Sequence, residues 1–128
     1  MYLYYAIFSY EDGAYNVSFP DLDGAFTFGD TMSDALHMAK DLLEGWLVIA
    51  EDEGDEIPEP SEPKDINLED GDLLIPIEAN VAIARAKFEN KLIKKTLTIP
   101  KYINMLAEEV GINFSATLTE VLKDKLGV

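Results

Sequence analysis

Residues 94–126, KKTLTIPKYINMLAEEVGINFSATLTEVLKDKL, constrain this chain more than any other stretch. They describe a unit that cannot fold alone. Lys94, Thr96 and Thr98 alternate with Lys95, Leu97 and Ile99, which is the two-residue period of a strand. Pro100 ends that strand and opens a helix as its first-turn residue. The helix collects Ile103, Leu106, Ala107 and Val110 on one face and stops at Gly111, a natural residue for a left-handed exit. Asn113 then caps a last helix whose apolar side is Phe114, Leu118, Val121, Leu122 and Leu126. One strand and two short helices bury too little surface for independent stability. The lone strand also leaves both edges unpaired. Both deficits vanish if two copies pair their strands antiparallel and share a core. The expected dimer core is Leu97, Ile99, Ile103, Leu106, Val110, Leu118, Val121 and Leu122.

A two-stranded ribbon of this kind fits the major groove of double-stranded DNA. It would present Lys94, Thr96 and Thr98 from each chain to base edges. Free amides at Asn113, Phe114 and Ser115, at the start of the last helix, suit phosphate oxygens. Lys95 and Lys101 are placed to meet the backbone as well. The charge distribution agrees. The chain carries a formal −15, but residues 1–80 hold 20 acids and two lysines, while residues 81–128 hold eight bases and five acids. Six bases and one acid lie between Arg85 and Lys101. This split indicates two modules with different partners.

The acidic part reads as a small sheet packed by a helix. YLYYAIF (Tyr2–Phe8) has the composition of a buried strand, and EDGA (Glu11–Ala14) that of a turn. Tyr15, Val17 and Phe19 alternate along a second strand, and AFTFG (Ala25–Gly29) forms a third after the PDLDG break. A helix is expected from Thr31, with Asp34 completing a capping-box-like start. Its apolar stripe is predicted to be Ala35, Met38, Ala39, Leu42, Trp46 and Ile49. The prolines of Glu51–Pro63 exclude helix, so a loop is expected there. DLLIPI (Asp72–Ile77) is a fourth strand, with Pro76 placing it at an edge or a strand end. Glu78–Ile93 has helical composition and is expected to link the modules. The expected organisation is therefore 1–78, a helical linker 79–93, and 94–128. With no cysteine there is no disulfide framework or thiolate metal site. The opening residues lack the marks of a signal peptide, and no apolar run reaches the length of a membrane span. A cytoplasmic protein without membrane attachment is expected.

TLTIP…AEEVGINFSATLTEVLKDKL resembles the ribbon-helix-helix superfamily, and Gly111-x-Asn113-x-Ser115 is its most specific element here. By that resemblance Lys94, Thr96 and Thr98 fall on the base-reading positions. YYAIFSYEDGAYNVSFPDLDGAFTFGDTMSDALHMAKDLLEGWL is similar to HicB-type antitoxins, through its D-G turn, V-x-F-P-D-L-x-G, T-x-G-D-T and the later IPEPS (Ile57–Ser61). Many relatives have Cys where this chain has Ala25, a strand position where the change has little consequence. The resemblance implies an α+β fold: a degenerate RNase H-like domain, with its sheet packed by a helix, followed by a ribbon-helix-helix. It implies a small basic HicA-type toxin, an mRNA-cleaving ribonuclease, as partner, and autorepression of the operon through operator DNA. A surface this acidic is complementary to a basic partner. The turn residues Asp21 and Asp23 and the acidic run Glu51, Asp52, Glu53, Asp55 and Glu56 are the candidate toxin contacts.

An enzyme is not expected. Asp12, Asp21, Asp23, Asp30 and Asp34 lie in turns or at a helix start, where Asp serves the backbone. His37 has no partner triad, and Trp46 reads as core. No metal or cofactor is called for. A stand-alone repressor whose N-terminal module senses a small ligand is the alternative. Against it, the buried-looking positions are uniformly apolar, whereas a ligand site needs convergent polar groups.

Overall fold

Tyr4, Ala6 and Phe8 are buried along β1 (Tyr2–Glu11), while Leu3, Tyr5 and Ile7 between them stay half-exposed. This alternation gives the strand one core face and one outer face. The computed structural model describes all 128 residues. β1 turns at Asp12 and Gly13, both with positive φ (52° and 80°), into β2 (Ala14–Ser18). The register Glu11↔Ala14 makes this a two-residue hairpin, which needs left-handed residues at both positions. β3 (Phe26–Gly29) pairs with β2, and β4 (Leu73–Ala79) pairs with β1. The sheet runs β3-β2-β1-β4, antiparallel throughout. Pro76 therefore lies on an edge strand, where its missing N–H costs least.

α1 (Met32–Glu53) crosses from one sheet edge to the other. Thr31 Oγ1 accepts from Asp34 N at 3.1 Å, the cap expected from sequence. Its buried line is Ala35, Ala39, Leu43 and Leu47 at strict four-residue steps. The predicted stripe is thus turned slightly. Leu42 and Trp46 flank the core, whereas Met38 and Ile49 are exposed. The reason lies at Gly29, where a Cβ would fall 2.7 Å from the Ala35 Cα and closer still to its N. The helix approaches the sheet there through small residues, and that contact fixes its rotation.

α1 also runs further than expected. It ends at Gly54 (φ 70°), so Glu51, Asp52 and Glu53 occupy its last turn rather than a loop. The chain then passes through a short 3-10 turn at Pro63–Asp65 to β4. α2 (Val81–Glu89), capped by Asn80, buries Ala84 completely. Arg85 pairs with Glu51 at 3.1 Å and Asp52 at 2.9 Å, and Lys87 pairs with the buried Glu44 at 3.4 Å. The helix expected as a linker is therefore packed on α1. The compact unit runs Met1–Lys91, not 1–78, because an acidic α1 supplies partners for its bases.

The second compact unit is Leu92–Val128, with α3 (Lys101–Glu109) and α4 (Phe114–Leu126). Gly111 (φ 75°) makes the exit from α3, and Asn113 Oδ1 accepts from Ala116 N at 3.0 Å to cap α4. Residues 91–100 contain no strand, in contrast to the expectation for 94–99. A strand is defined by a hydrogen-bonded neighbour, and this chain offers none to that segment.

Candidate functional site

The first unit carries an open groove of about 730 Å³ between the PDLDG turn, the C-terminal turns of α1 and the loop after it. Its apolar floor is Trp46, Ile49, Ala50 and Pro58, and its rim is Asp21, Asp23, Glu53, Asp55 and Glu56. The walls are tied together. Trp46 Nε1 donates to the Asp23 carbonyl at 3.2 Å. Asp21 accepts from Ser61 N at 2.8 Å and from Ser61 Oγ at 2.5 Å. Tyr4, buried beneath, donates its hydroxyl to the Pro58 carbonyl. Burial raises the Tyr4 hydroxyl pKa above its usual 10, and Tyr2, Asp21 and Glu59 push it in the same direction.

Five of the seven expected toxin contacts converge on this groove, namely Asp21, Asp23, Glu53, Asp55 and Glu56. Asp21 is committed to Ser61, so it braces the wall more than it offers charge. Glu51 and Asp52 line none of the groove and belong to the contact with Arg85. Their two carboxylates, Glu51 first, raise the Arg85 pKa. Acids at a helix C-terminus oppose the helix dipole, and Arg85 relieves that repulsion. The charge pattern of the sequence does not mark Trp46, Ile49 and Pro58 as contacts. Ile49 falls on the apolar stripe expected to face the core, and the actual rotation of α1 exposes it.

In the second unit a groove of about 610 Å³ is lined chiefly by Leu97, Ile99, Ile103, Ala107, Ile112, Phe114, Leu118 and Val121, with Lys95 and Ser115 at its margin. Lys94, Thr96 and Thr98 alternate with the lining residues and are exposed. Of the expected dimer core, Leu106, Val110 and Leu122 are exposed outside the groove. Only Ala107 in this unit is buried. The amides of Phe114 and Ser115 have no backbone acceptor, and Lys101 is exposed at the start of α3.

Fold and groove together define a small α+β protein with an acidic groove. Residues 4–120 match the model of the HicB-like antitoxins of bacterial toxin–antitoxin systems, and the chain belongs to that family. Among solved structures it is similar to a chain of a toxin–antitoxin complex from Streptococcus pneumoniae. That match has a TM-score of 0.60 and 30% identity, and covers 97% of this chain and 98% of that one. It also shares its fold with the antitoxin HicB of Burkholderia pseudomallei (TM-score 0.57, 17% identity, 98% and 99% covered). A chain of the HicA3 and HicB3 toxin–antitoxin complex matches over 62% of this chain and 99% of its own, with TM-score 0.52 and 23% identity. No curated protein matches.

Proposed function

We propose that this antitoxin neutralises a small basic HicA-type toxin through the acidic groove of its first unit, and represses its own operon through the second. The observation that carries the first part is the groove itself, with Asp23, Glu53, Asp55 and Glu56 around a floor of Trp46, Ile49 and Pro58. A protein that grips mRNA must be basic. Its lysine and arginine stems pack on apolar surface while their heads meet carboxylates. The complementary field also speeds encounter. The Streptococcus pneumoniae relative comes from a toxin–antitoxin complex, which supports the same partner here. Binding blocks the toxin sterically, so the antitoxin needs no catalytic group of its own. The sheet with its crossing helix is a degenerate RNase H-like domain in this reading, and the complex works in the cytoplasm.

The second part rests on the open apolar groove of residues 92–128. Two copies pair their 94–99 segments into a ribbon, which covers Leu97, Ile99, Ile103 and Leu118 with their mates. Lys94, Thr96 and Thr98 then read operator bases. Phe114 and Ser115 amides, aided by Lys95 and Lys101, hold phosphates.

One experiment tests both parts. The chain is tagged and recovered from its host, and bound protein is identified by mass. A stoichiometric small basic protein is expected, one that cleaves RNA alone and stops when this chain is added. Glu53→Lys/Glu56→Lys should lose that partner and keep operator DNA. Thr96→Ala should keep the partner and weaken operator binding by about 1–3 kcal/mol per lost base contact. Absence of any such partner, with DNA binding intact, would overturn the antitoxin mechanism and leave a stand-alone repressor.

A further inference from the structure

We infer that the acidic groove of the first unit takes an arginine side chain of its partner, and that Trp46 is the residue that selects arginine over lysine. Trp46, Ile49, Ala50 and Glu53 follow one another at steps of three and four along α1 and form one strip of the groove. The indole packs against the core and also lines the groove. Its one donor is already used, because Nε1 is bonded to the Asp23 carbonyl at 3.2 Å. That bond also fixes the orientation of the ring. What the indole has left to offer a ligand is its face, which is apolar and attracts cations through its quadrupole.

The charges around this plate have no counter-charge in the chain. Away from the groove, Glu44, Glu51 and Asp52 of α1 are answered by Lys87 and Arg85. Asp23, Glu53, Asp55 and Glu56 on the rim have no cation within ion-pair distance. Glu53 lies in the last turn of α1, where a carboxylate opposes the helix dipole and no basic residue of that turn offsets it. Four acids left unpaired around one cleft are set for a cation from outside.

Charge alone does not choose between arginine and lysine, but the floor does. An ammonium is compact and strongly hydrated, and gains little from a floor of indole and proline. A guanidinium is planar and more weakly hydrated. It can lie flat on Trp46 while its edge forks onto a rim carboxylate and its stem covers Ile49 and Pro58. A nucleobase would stack on the same ring, but the rim repels the phosphates that come with it. The groove is open and of about 730 Å³, which leaves room for part of the loop that carries the arginine. The inference rests on the proposed function only for the owner of that arginine, the basic toxin; its chemistry rests on the groove.

Trp46 is the only tryptophan of the chain, so its fluorescence reports on the groove alone. The full chain is titrated with two capped peptides of equal charge, triarginine amide and trilysine amide. Triarginine is expected to change the emission saturably, with half-saturation at about five- to tenfold lower concentration than trilysine. Added salt should widen that ratio, because screening removes the Coulomb attraction that the two peptides share. Glu53→Gln/Glu56→Gln should weaken both peptides. Trp46→Leu, checked by circular dichroism and followed by calorimetry, should bring them together; the salt series reads the same preference with the ring in place should that variant unfold. Equal half-saturation at low and high salt overturns the inference and leaves the antitoxin reading to the recovery of the toxin from the host. Silence of Trp46 toward both peptides, with the toxin still recovered, overturns it as well and moves the toxin contact elsewhere. An arginine preference in a chain that recovers no toxin upholds the site and overturns only its proposed owner.

Discussion

Asp21 stands 40 residues from Ser61 in sequence and accepts both its amide and its hydroxyl. Hydrogen bonds to a charged acceptor contribute about 1.5–3 kcal/mol each, less where water competes. Asp21→Ala should therefore cost about 2 kcal/mol in urea unfolding, whereas Asp23→Ala, which keeps the carbonyl bonded to Trp46, should change stability little. Equal effects would show that the Ser61 bonds contribute nothing. Tyr4 gives a pH signature. Its folded pKa is raised above the unfolded value, mainly by burial, so its contribution is complete below pH 10 and is lost as pH rises through the folded pKa. Tyr4→Phe should cost about 1 kcal/mol at neutral pH through the lost bond to Pro58. It should also flatten the alkaline decline in stability, measured by unfolding between neutral pH and pH values above 10. A parallel decline in both proteins would assign the alkaline loss to other groups.

Helix α2 shows what a sequence reveals about an element and what it hides. Its composition announced a helix, but nothing local told that Ala84 would be fully buried or that Arg85 and Lys87 would find Glu51, Asp52 and Glu44. Those partners lie more than 30 residues upstream, and pairing at that range leaves no periodic trace. The four strands of the first unit, the Asp12–Gly13 turn and the Thr31 cap were legible because each depends on near neighbours, and Pro76 marked β4 as an edge by its missing donor. The strand expected over 94–99 was not formed, because a strand needs a partner that a single chain does not supply there. The α1 stripe was found in part. Steps of three and four do not fix phase, and the phase is set by Gly29 across the sheet. The site divided the same way. Asp23, Glu53, Asp55 and Glu56 stood out by charge, while the floor residues Ile49 and Pro58 needed the fold to be seen. Glu44 is almost wholly buried, so removing its cation leaves a carboxylate without a counter-charge. Lys87→Ala should cost about 1 kcal/mol, Lys87 itself being half-exposed. Hydrogen exchange across Val81–Glu89 should accelerate while β1 keeps its protection. Unaltered exchange in α2 would mean that Ala84 packing alone holds the helix.

The two units of the molecule obey different thermodynamics. The first has a closed core beneath α1, and its stability is a property of one chain. The second buries only Ala107 and leaves Leu97, Ile99 and Val121 open, so in the proposed reading its folding is coupled to association. Calorimetry should show two transitions, with the one belonging to residues 92–128 moving to higher temperature as protein concentration rises. The other should hold still. A C-terminal transition independent of concentration would contradict the proposed shared core.

Residues 91–100 carry no hydrogen-bonded element and contain Lys91, Lys94 and Lys95. In the proposed paired state Lys94 and Lys95 lie within the ribbon, so a protease that cleaves after basic residues would reach them only in a chain that has lost its mate. Dissociation and degradation would then be coupled: the copies dilute enough to separate would be the copies that are cut.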